Sequence, residues 1–365
     1  MAGIYIHIPF CKSRCIYCDF YSTTGLEWRQ RYVDALCEEY RLRHNYINER
    51  VRTLYIGGGT PSLLPHPLLR QIFETVGPVE GEVTLECNPD DVTESFAEGL
   101  AELPVNRVSM GAQSFGDERL RFLHRRHRAC QVAMAVERLR AVGIGNISID
   151  LIYGFPGETL EEWHRDIESA LALQVEHLSA YALQYEEGTA LYRQLKQGVI
   201  REVDEELSRR MYYDLKDRLA QAGFEHYEIS NFARPGFRSR HNSGYWNQTP
   251  YLGLGAAAHS FDGYNRQSNI ADLKAYVAGI EAGCPQVLLE TLDEVSRYNE
   301  QVMTALRTCE GLLLSALSDR QRDYCLRQAR PYLQTRLLTT ADDRIRLTRE
   351  GLFVSDMVIS DLMMV

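Results

Sequence analysis

A chain of 365 residues, 45% hydrophobic and 25% charged, exceeds one average domain and has the composition of an ordinary soluble globular protein. No stretch approaches the roughly 20 apolar residues of a membrane span, and the start MAGIYIHIPFCKSRC lacks the pattern of a secretory leader, so a cytoplasmic protein is expected. The net charge of −10 gives no long-range attraction to nucleic acid or to an anionic membrane.

In chain order, short apolar runs alternate with amphipathic stretches. IYIHI (4–8) reads as a strand before helix-like sequence near 27–49, TLYIG (53–57) precedes a helix near 64–76, and VTLEC (83–87) one near 91–102. RVSMG (107–111) then precedes a helix near 117–142, ISIDLIYG (147–154) one near 159–173, and HLSAYAL (177–183) is the sixth strand. Thr93 and Asp117 stand where helix N-caps are expected. Strands separated by helices of this length pair in parallel through right-handed crossovers. The alternation stops after Tyr185, two units short of a closed eightfold barrel. The expected fold is therefore α/β: an open, partial (β/α)6 barrel over 1–230. The basic run RLRFLHRRHR (119–128) reads on charge alone as a solvated helix face.

A charged helix at 201–222 leads into aromatic, glycine-rich sequence at 224–261, and 231–289 is expected to connect the barrel to a further domain. From about 290 the pattern is helical again, with DEVSRYNEQVMTALRT the clearest amphipathic segment. The tail reads as a short strand and a helix, which makes 290–365 a smaller, mostly helical C-terminal domain.

Each strand ends in an unusual polar or glycine-rich cluster: HIPFCKSRC, GGGTP, ECNPD, GAQSF, DLIYGFPGE and YALQYEEGT. In barrel-like α/β folds the strand C-termini carry the chemistry. Nine cysteines in a chain without a leader favour metal binding over disulfides. Cys11, Cys15 and Cys18, spaced C-x3-C-x2-C, suit a [4Fe-4S] cluster with one iron lacking a protein ligand, and a structural zinc with His7 is the alternative. The scattered Cys37, Cys87, Cys130, Cys284, Cys309 and Cys325 are expected to be buried free thiols. The glycines of TLYIGGGTP let backbone approach an amino-acid head group, or simply form a tight turn. Glu86, Gln113 and Asp150 sit near strand ends where packing does not call for them, and Arg125 suits a carboxylate; caps or core hydrogen bonds are the alternative.

On these residues the chain resembles, over essentially its whole length, the coproporphyrinogen dehydrogenase group of radical S-adenosylmethionine (SAM) proteins, and within it the heme-chaperone (HemW) branch. The resemblance implies that Cys11, Cys15 and Cys18 ligate the cluster and that SAM closes its open iron. It assigns SAM contacts to Tyr5, Gly58, Gly59, Thr60, Glu86, Gln113, Arg125 and Asp150, with Ala182 a further one. The dehydrogenases carry another cysteine two positions after the third, where this chain has Phe20, and a longer N-terminal arm before the first strand. HNSGYW (241–246) resembles a heme-associated HNxxYW motif. A neutral His241 is suited to ligate heme iron while Tyr245 and Trp246 pack on the porphyrin, a hydrogen-bonded structural histidine being the alternative. LGLGAAAHSF and LTREGLFVSD also look like the family's closing domain.

The function so implied is binding of heme and its delivery to apo-proteins such as respiratory cytochromes, with a [4Fe-4S] cluster and SAM. The partners are those acceptors, an electron donor and at most a membrane surface, with no nucleic acid. The second reading is an oxygen-independent coproporphyrinogen III oxidase that decarboxylates propionates through a SAM-derived radical, and the third a radical SAM enzyme for an unrelated substrate.

Overall fold

A computed structural model describes residues 2–365. The six expected strands are present as β1 (Ala2–Ile8), β2 (Val51–Gly58), β3 (Glu82–Cys87), β4 (Arg107–Gln113), β5 (Ile147–Tyr153) and β6 (His177–Ala182). Each pairs with the next in parallel. The crossovers carry α1 (Arg29–Arg43), α2 (His66–Val76), α3 (Glu94–Ala101), α4 (Asp117–Phe122), α5 (Ala129–Ala141) and α6 (Leu160–Ala172).

Side chains alternate along a strand, and here the alternation divides labour. Ile4, Ile6, Leu54, Ile56, Leu85, Val108, Met110, Ile147 and Ile149 belong to one buried core that includes Leu36, Leu69, Val136 and Trp163 of the helices. Each such side chain contributes about 1.5–3 kcal/mol by leaving water. The residues between them, among them Tyr55, Thr84, Glu86, Arg107, Ser109, Ser148, Asp150, His177 and Ser179, turn polar groups into the barrel's concave side.

The strand–helix repeat ends where the sequence indicates, but the sheet goes on. After α7 (Ala190–Lys196) and α8 (Glu205–Gln221), β7 (Glu225–Glu228) and β8 (Asn231–Ala233) extend it antiparallel beyond β6. Beyond α9 (Arg240–Trp246), β9 (Tyr251–Leu254) pairs parallel to β1, and β10 (His259–Phe261), β11 (Asn265–Asn269) and, after α10 (Leu273–Glu281), β12 (Val287–Thr291) follow antiparallel. The result is one twelve-stranded sheet in the order β12-β11-β10-β9-β1-β2-β3-β4-β5-β6-β8-β7. The stretch expected as a connecting region thus supplies strands to the main sheet. They are three to five residues long, too short for a period to show.

The C-terminal residues form a separate core around Tyr298, Val302, Leu306, Cys325, Ile345 and Leu362. It is built from α11 (Glu294–Leu306), β13 (Leu312–Leu313), α12 (Asp319–Gln334), β14 (Leu338–Ala341), β15 (Arg344–Leu347), α13 (Arg349–Phe353) and α14 (Ser355–Leu362). The expected strand-then-helix tail is β15 followed by α13 and α14.

Two local expectations need correcting. The helix expected over 117–142 is broken, and 119–128 is no solvated helix face. His124 takes the left-handed φ of 59°, its N–H donates to the Arg121 carbonyl and that of Arg125 to the Leu120 carbonyl, which is a Schellman ending. Arg125 is thereby turned inward. Thr93 caps α3 by accepting from the Phe96 N–H at 3.2 Å, but Gly116 holds the N-cap of α4 and Asp117 instead accepts from Ala129 N–H at 2.9 Å, steadying the start of α5. Of the scattered cysteines, Cys37, Cys87 and Cys325 are buried free thiols as expected, whereas Cys130, Cys284 and Cys309 are exposed.

Candidate functional site

The C-terminal ends of β1 to β6 surround a cavity of about 930 Å³, near the top of the ~300–1,000 Å³ range of ligand sites. It brings together Cys11, Cys15, Cys18, Gly58, Gly59, Thr60, Glu86, Gln113, Arg125, Asp150 and Ala182, and with them the exposed Phe20.

The cysteine loop is pinned at its base: Cys11 N–H donates to the Thr23 carbonyl at 2.9 Å, Thr23 N–H to the Pro9 carbonyl at 2.7 Å, and Ile16 N–H to the Leu123 carbonyl at 3.3 Å. Two sulfurs receive hydrogen bonds. The Thr60 hydroxyl lies 3.6 Å from Cys11 Sγ and Arg125 Nη1 3.6 Å from Cys15 Sγ. Burial pushes the Cys18 thiol up to about 11 and raises that of Cys11, with repulsion from Cys15 adding to both and the Thr60 hydroxyl opposing at Cys11. Such thiols stay protonated in water alone and release their protons to solvent when a positively charged metal centre binds the thiolates. Among the described residues no three His, Cys, Asp or Glu side chains converge on a single ion. His7 is committed elsewhere, its Nε2 to the Tyr21 carbonyl at 2.9 Å and its Nδ1 to the Tyr5 hydroxyl at 3.0 Å. The zinc alternative therefore lacks its fourth ligand, whereas a cubane spreads three thiolates over three irons.

The end of β2 meets the start of the cysteine loop backbone to backbone, with Gly59 N–H donating to the Ile8 carbonyl at 2.8 Å. Gly58 has a φ of 107°, and a Cβ there would lie 2.5 Å from the His7 ring. Only glycine fits. Glu86 accepts from Gly58 N–H at 3.0 Å and from the Tyr55 hydroxyl at 2.7 Å. Burial, together with the nearby Asp150, pushes its carboxyl up to about 7 against those two donors and Arg107. Burial raises Asp150 to about 6, with Ser179, Arg107 and Arg125 opposing. Gln113 follows a bulge in β4 with a left-handed φ of 64°, the local strain that collects at functional sites. Arg125 ties the parts together, since Nη2 donates to Asn88 Oδ1 at 2.6 Å and to the Gly111 carbonyl at 2.7 Å while Nη1 reaches Cys15.

Two expected residues lie elsewhere. Tyr5 is occupied with His7 beneath the cavity. His241, on α9, lines a different cavity of about 460 Å³ with Gly3 and Thr53. Its Nδ1 is 2.9 Å from the Thr53 hydroxyl, its Nε2 2.9 Å from the Tyr245 hydroxyl, and its ring stacks on Tyr55 at 5.2 Å. Burial drives its pKa down to about 3, so the ring is neutral, but neither nitrogen is free for an iron. Trp246 lies under the Arg307 guanidinium at 4.9 Å rather than on an open face. Sequence reasoning missed Asn88, Tyr55 and Arg107. Asn88 stands inside the quoted ECNPD cluster, and the other two keep the inward phase of their strands, which is the signal that would have found them.

Residues 5–170 match the Radical SAM superfamily and residues 292–354 the HemN C-terminal domain. The chain is 34% identical over 358 residues to the heme chaperone HemW of Lactococcus lactis subsp. lactis, covering 95% of this chain and 93% of that one. To the heme chaperone HemW of Mycobacterium tuberculosis it is 35% identical over 373 residues, covering 99% and 94%. The chain belongs to the HemW family. Like other radical SAM proteins, a HemW family member takes a [4Fe-4S] cluster and SAM as cofactors. The radical SAM enzyme HemN of Escherichia coli, a coproporphyrinogen III oxidase, superposes with a TM-score of 0.85 over 99% of this chain and 89% of its own at 22% identity. That likeness is one of fold.

Proposed function

We propose that this protein binds heme and passes it to apo-hemoproteins, the activity named for its HemW relatives, with the cluster on Cys11, Cys15 and Cys18 and SAM beside it in the large cavity. The observation that carries the reading is the convergence of the three cysteines and all but one of the expected SAM residues on one cavity. When bound, the cluster and SAM supply one-electron chemistry. The chain's own residues bind and orient. Gly58 and Gly59 admit an amino-acid head group to the backbone, Glu86 and Asp150 accept hydrogen bonds from ammonium or hydroxyl groups, and Arg125 holds Cys15 at a fixed distance from Gly111 and Asn88.

The acceptors fitting this reading are apo-proteins of the respiratory chain such as cytochromes, met in the cytoplasm or at a membrane surface; among the described residues no helix is long and apolar enough to cross a membrane. The fold likeness to the oxidase HemN supports a second reading, coproporphyrinogen III oxidation, against which stands Phe20 in place of the further cysteine. Anaerobic reconstitution, hemin titration and transfer to an apo-cytochrome decide the matter: a stoichiometric heme complex that empties into the acceptor is expected, and protoporphyrinogen formed from coproporphyrinogen III with SAM and reductant would overturn the reading.

A further inference from the structure

Arg107, at the start of β4, is one of the largest side chains sealed inside the protein, only 1% exposed. A guanidinium keeps its charge in any setting, and a buried charge ordinarily has a partner. Arg43, Arg119 and Arg126, all less buried, each hold a carboxylate, those of Glu39, Glu162 and Asp91. Arg107 holds none among the described residues. Its Nε and Nη1 meet no hydrogen-bond partner, and neither does the fully buried hydroxyl of Thr84, its neighbour across the β3–β4 pair.

The charge is placed to act on both carboxylates of the mouth. Glu86 and Asp150 share the inward phase of Arg107 and stand on β3 and β5, the strands on either side of β4. Around them the hydroxyls of Tyr5, Tyr55, Tyr181 and Tyr245 and the Cys87 thiol are held protonated by burial and carry no charge. The cations facing them are Arg125 and Arg107. Arg125 acts on Asp150 and is already bound to Cys15, Asn88 and Gly111, whereas Arg107 acts on both Glu86 and Asp150. In an interior without water such a field is little screened. Left unpaired, the charge costs stability, but it favours two acidic groups being ionised side by side.

We propose that Arg107 is a positioning residue for the large cavity: its unpaired charge, sealed inside the barrel, keeps Glu86 and Asp150 ready as acceptor carboxylates, through its field rather than by contact. The inference rests on the reading of the large cavity as the SAM site.

The test is anaerobic equilibrium binding of SAM to the reconstituted full chain from about pH 5 to 9, beside denaturant unfolding of the ligand-free chain over the same range. Arg107→Met, close in length and without charge, is expected to move the midpoint of both pH profiles up by about one unit. SAM then binds about tenfold more weakly near pH 7, and the loss is recovered at the alkaline end. Arg107→Gln behaves in the same way, and Arg107→Lys keeps the wild-type midpoints. An arginine that merely fills space would give variants weaker by the same factor at every pH. Wild-type midpoints in the Met and Gln variants, or a displaced midpoint in the Lys variant, would overturn the inference. A wild-type chain that binds no SAM, while its unfolding profile responds as described, would overturn the reading of the cavity instead.

Discussion

The two ends of the barrel's concave side are built by the same strands and are finished in opposite ways. At the base, three groups are paired within the protein, although Arg107 Nε and Nη1 and the Thr84 hydroxyl beside them meet no partner: His241 between Thr53 and Tyr245, His177 between Ser148 and Tyr227 at 2.7 Å each, and Glu82 on the backbone of α9. At the mouth polar groups are held away from their preferred state. Carboxylates are buried beside each other, a glutamine sits in left-handed backbone, and thiols crowd together. A paired polar group fixes a shape, while a buried group held away from its preferred charge or backbone state marks a place for a ligand. The same inward phase of a strand thus serves closure at one end and binding at the other.

The largest effect expected at the mouth comes from the cysteines. Replacing Cys11, Cys15 or Cys18 by Ala should remove nearly all bound iron and sulfide after reconstitution, yet leave the melting temperature of the cluster-free chain close to wild type. A large drop in that temperature would mean that the loop, like the base, is structural. At the base the outcome inverts. His241→Ala strands two hydroxyls and opens a void, so a loss of about 2–4 kcal/mol is expected in denaturant unfolding, with hemin titration unchanged; loss of the heme spectrum in a stable variant would return the iron to His241.

Gly58→Ala tests the seam between the ends. Its left-handed φ and the His7 ring at 2.5 Å predict a cost of at least about 1–2 kcal/mol and weaker SAM binding by calorimetry. The pH response sharpens the contrast further. Glu86 and Asp150 have their carboxyls raised from 4.5 to about 7 and from 3.8 to about 6, so the folded state holds more protons than the unfolded one between those values. Ligand-free stability then falls as pH rises from about 4 to 7, while SAM affinity rises over the same range as the acceptors ionise. Glu86→Gln should flatten the Glu86 share of both trends and leave that of Asp150, and an unchanged profile would take Glu86 out of the site. The smallest effect belongs to neither end. Arg349 and Asp217 form an exposed pair at 2.7 Å between the C-terminal domain and α8, and Arg349→Ala should cost less than about 1 kcal/mol by thermal unfolding.

The parallel half of the fold was legible because its strands are six to eight residues long, separated by helices with a period and, at Thr93, a cap. The antiparallel half was not. Its strands owe their place to pairing with partners distant in sequence, as Gly3 with Tyr251, and no local signal marks that. Most of the mouth was readable, since Glu86, Gln113 and Asp150 are polar where the strand asks for apolar residues. His241 was harder. The motif around it shows that the residues matter, but which neighbour faces which cavity depends on the angle at which α9 is seated, and that angle is set by Glu82, 159 residues away. Arg125 lay in a run whose charge suggested solvent, because a left-handed turn at a histidine is not announced by composition.

That turn at His124 bears on how much this stretch of chain tolerates changes of length. The last turn of α4 aims Arg125, and each residue added to a helix rotates the downstream chain by about 100°. One insertion or deletion between Asp117 and Leu123 would swing the guanidinium away from Cys15, Asn88 and Gly111 at once, although none of those residues had changed. Within this crossover, these few positions have a fixed count.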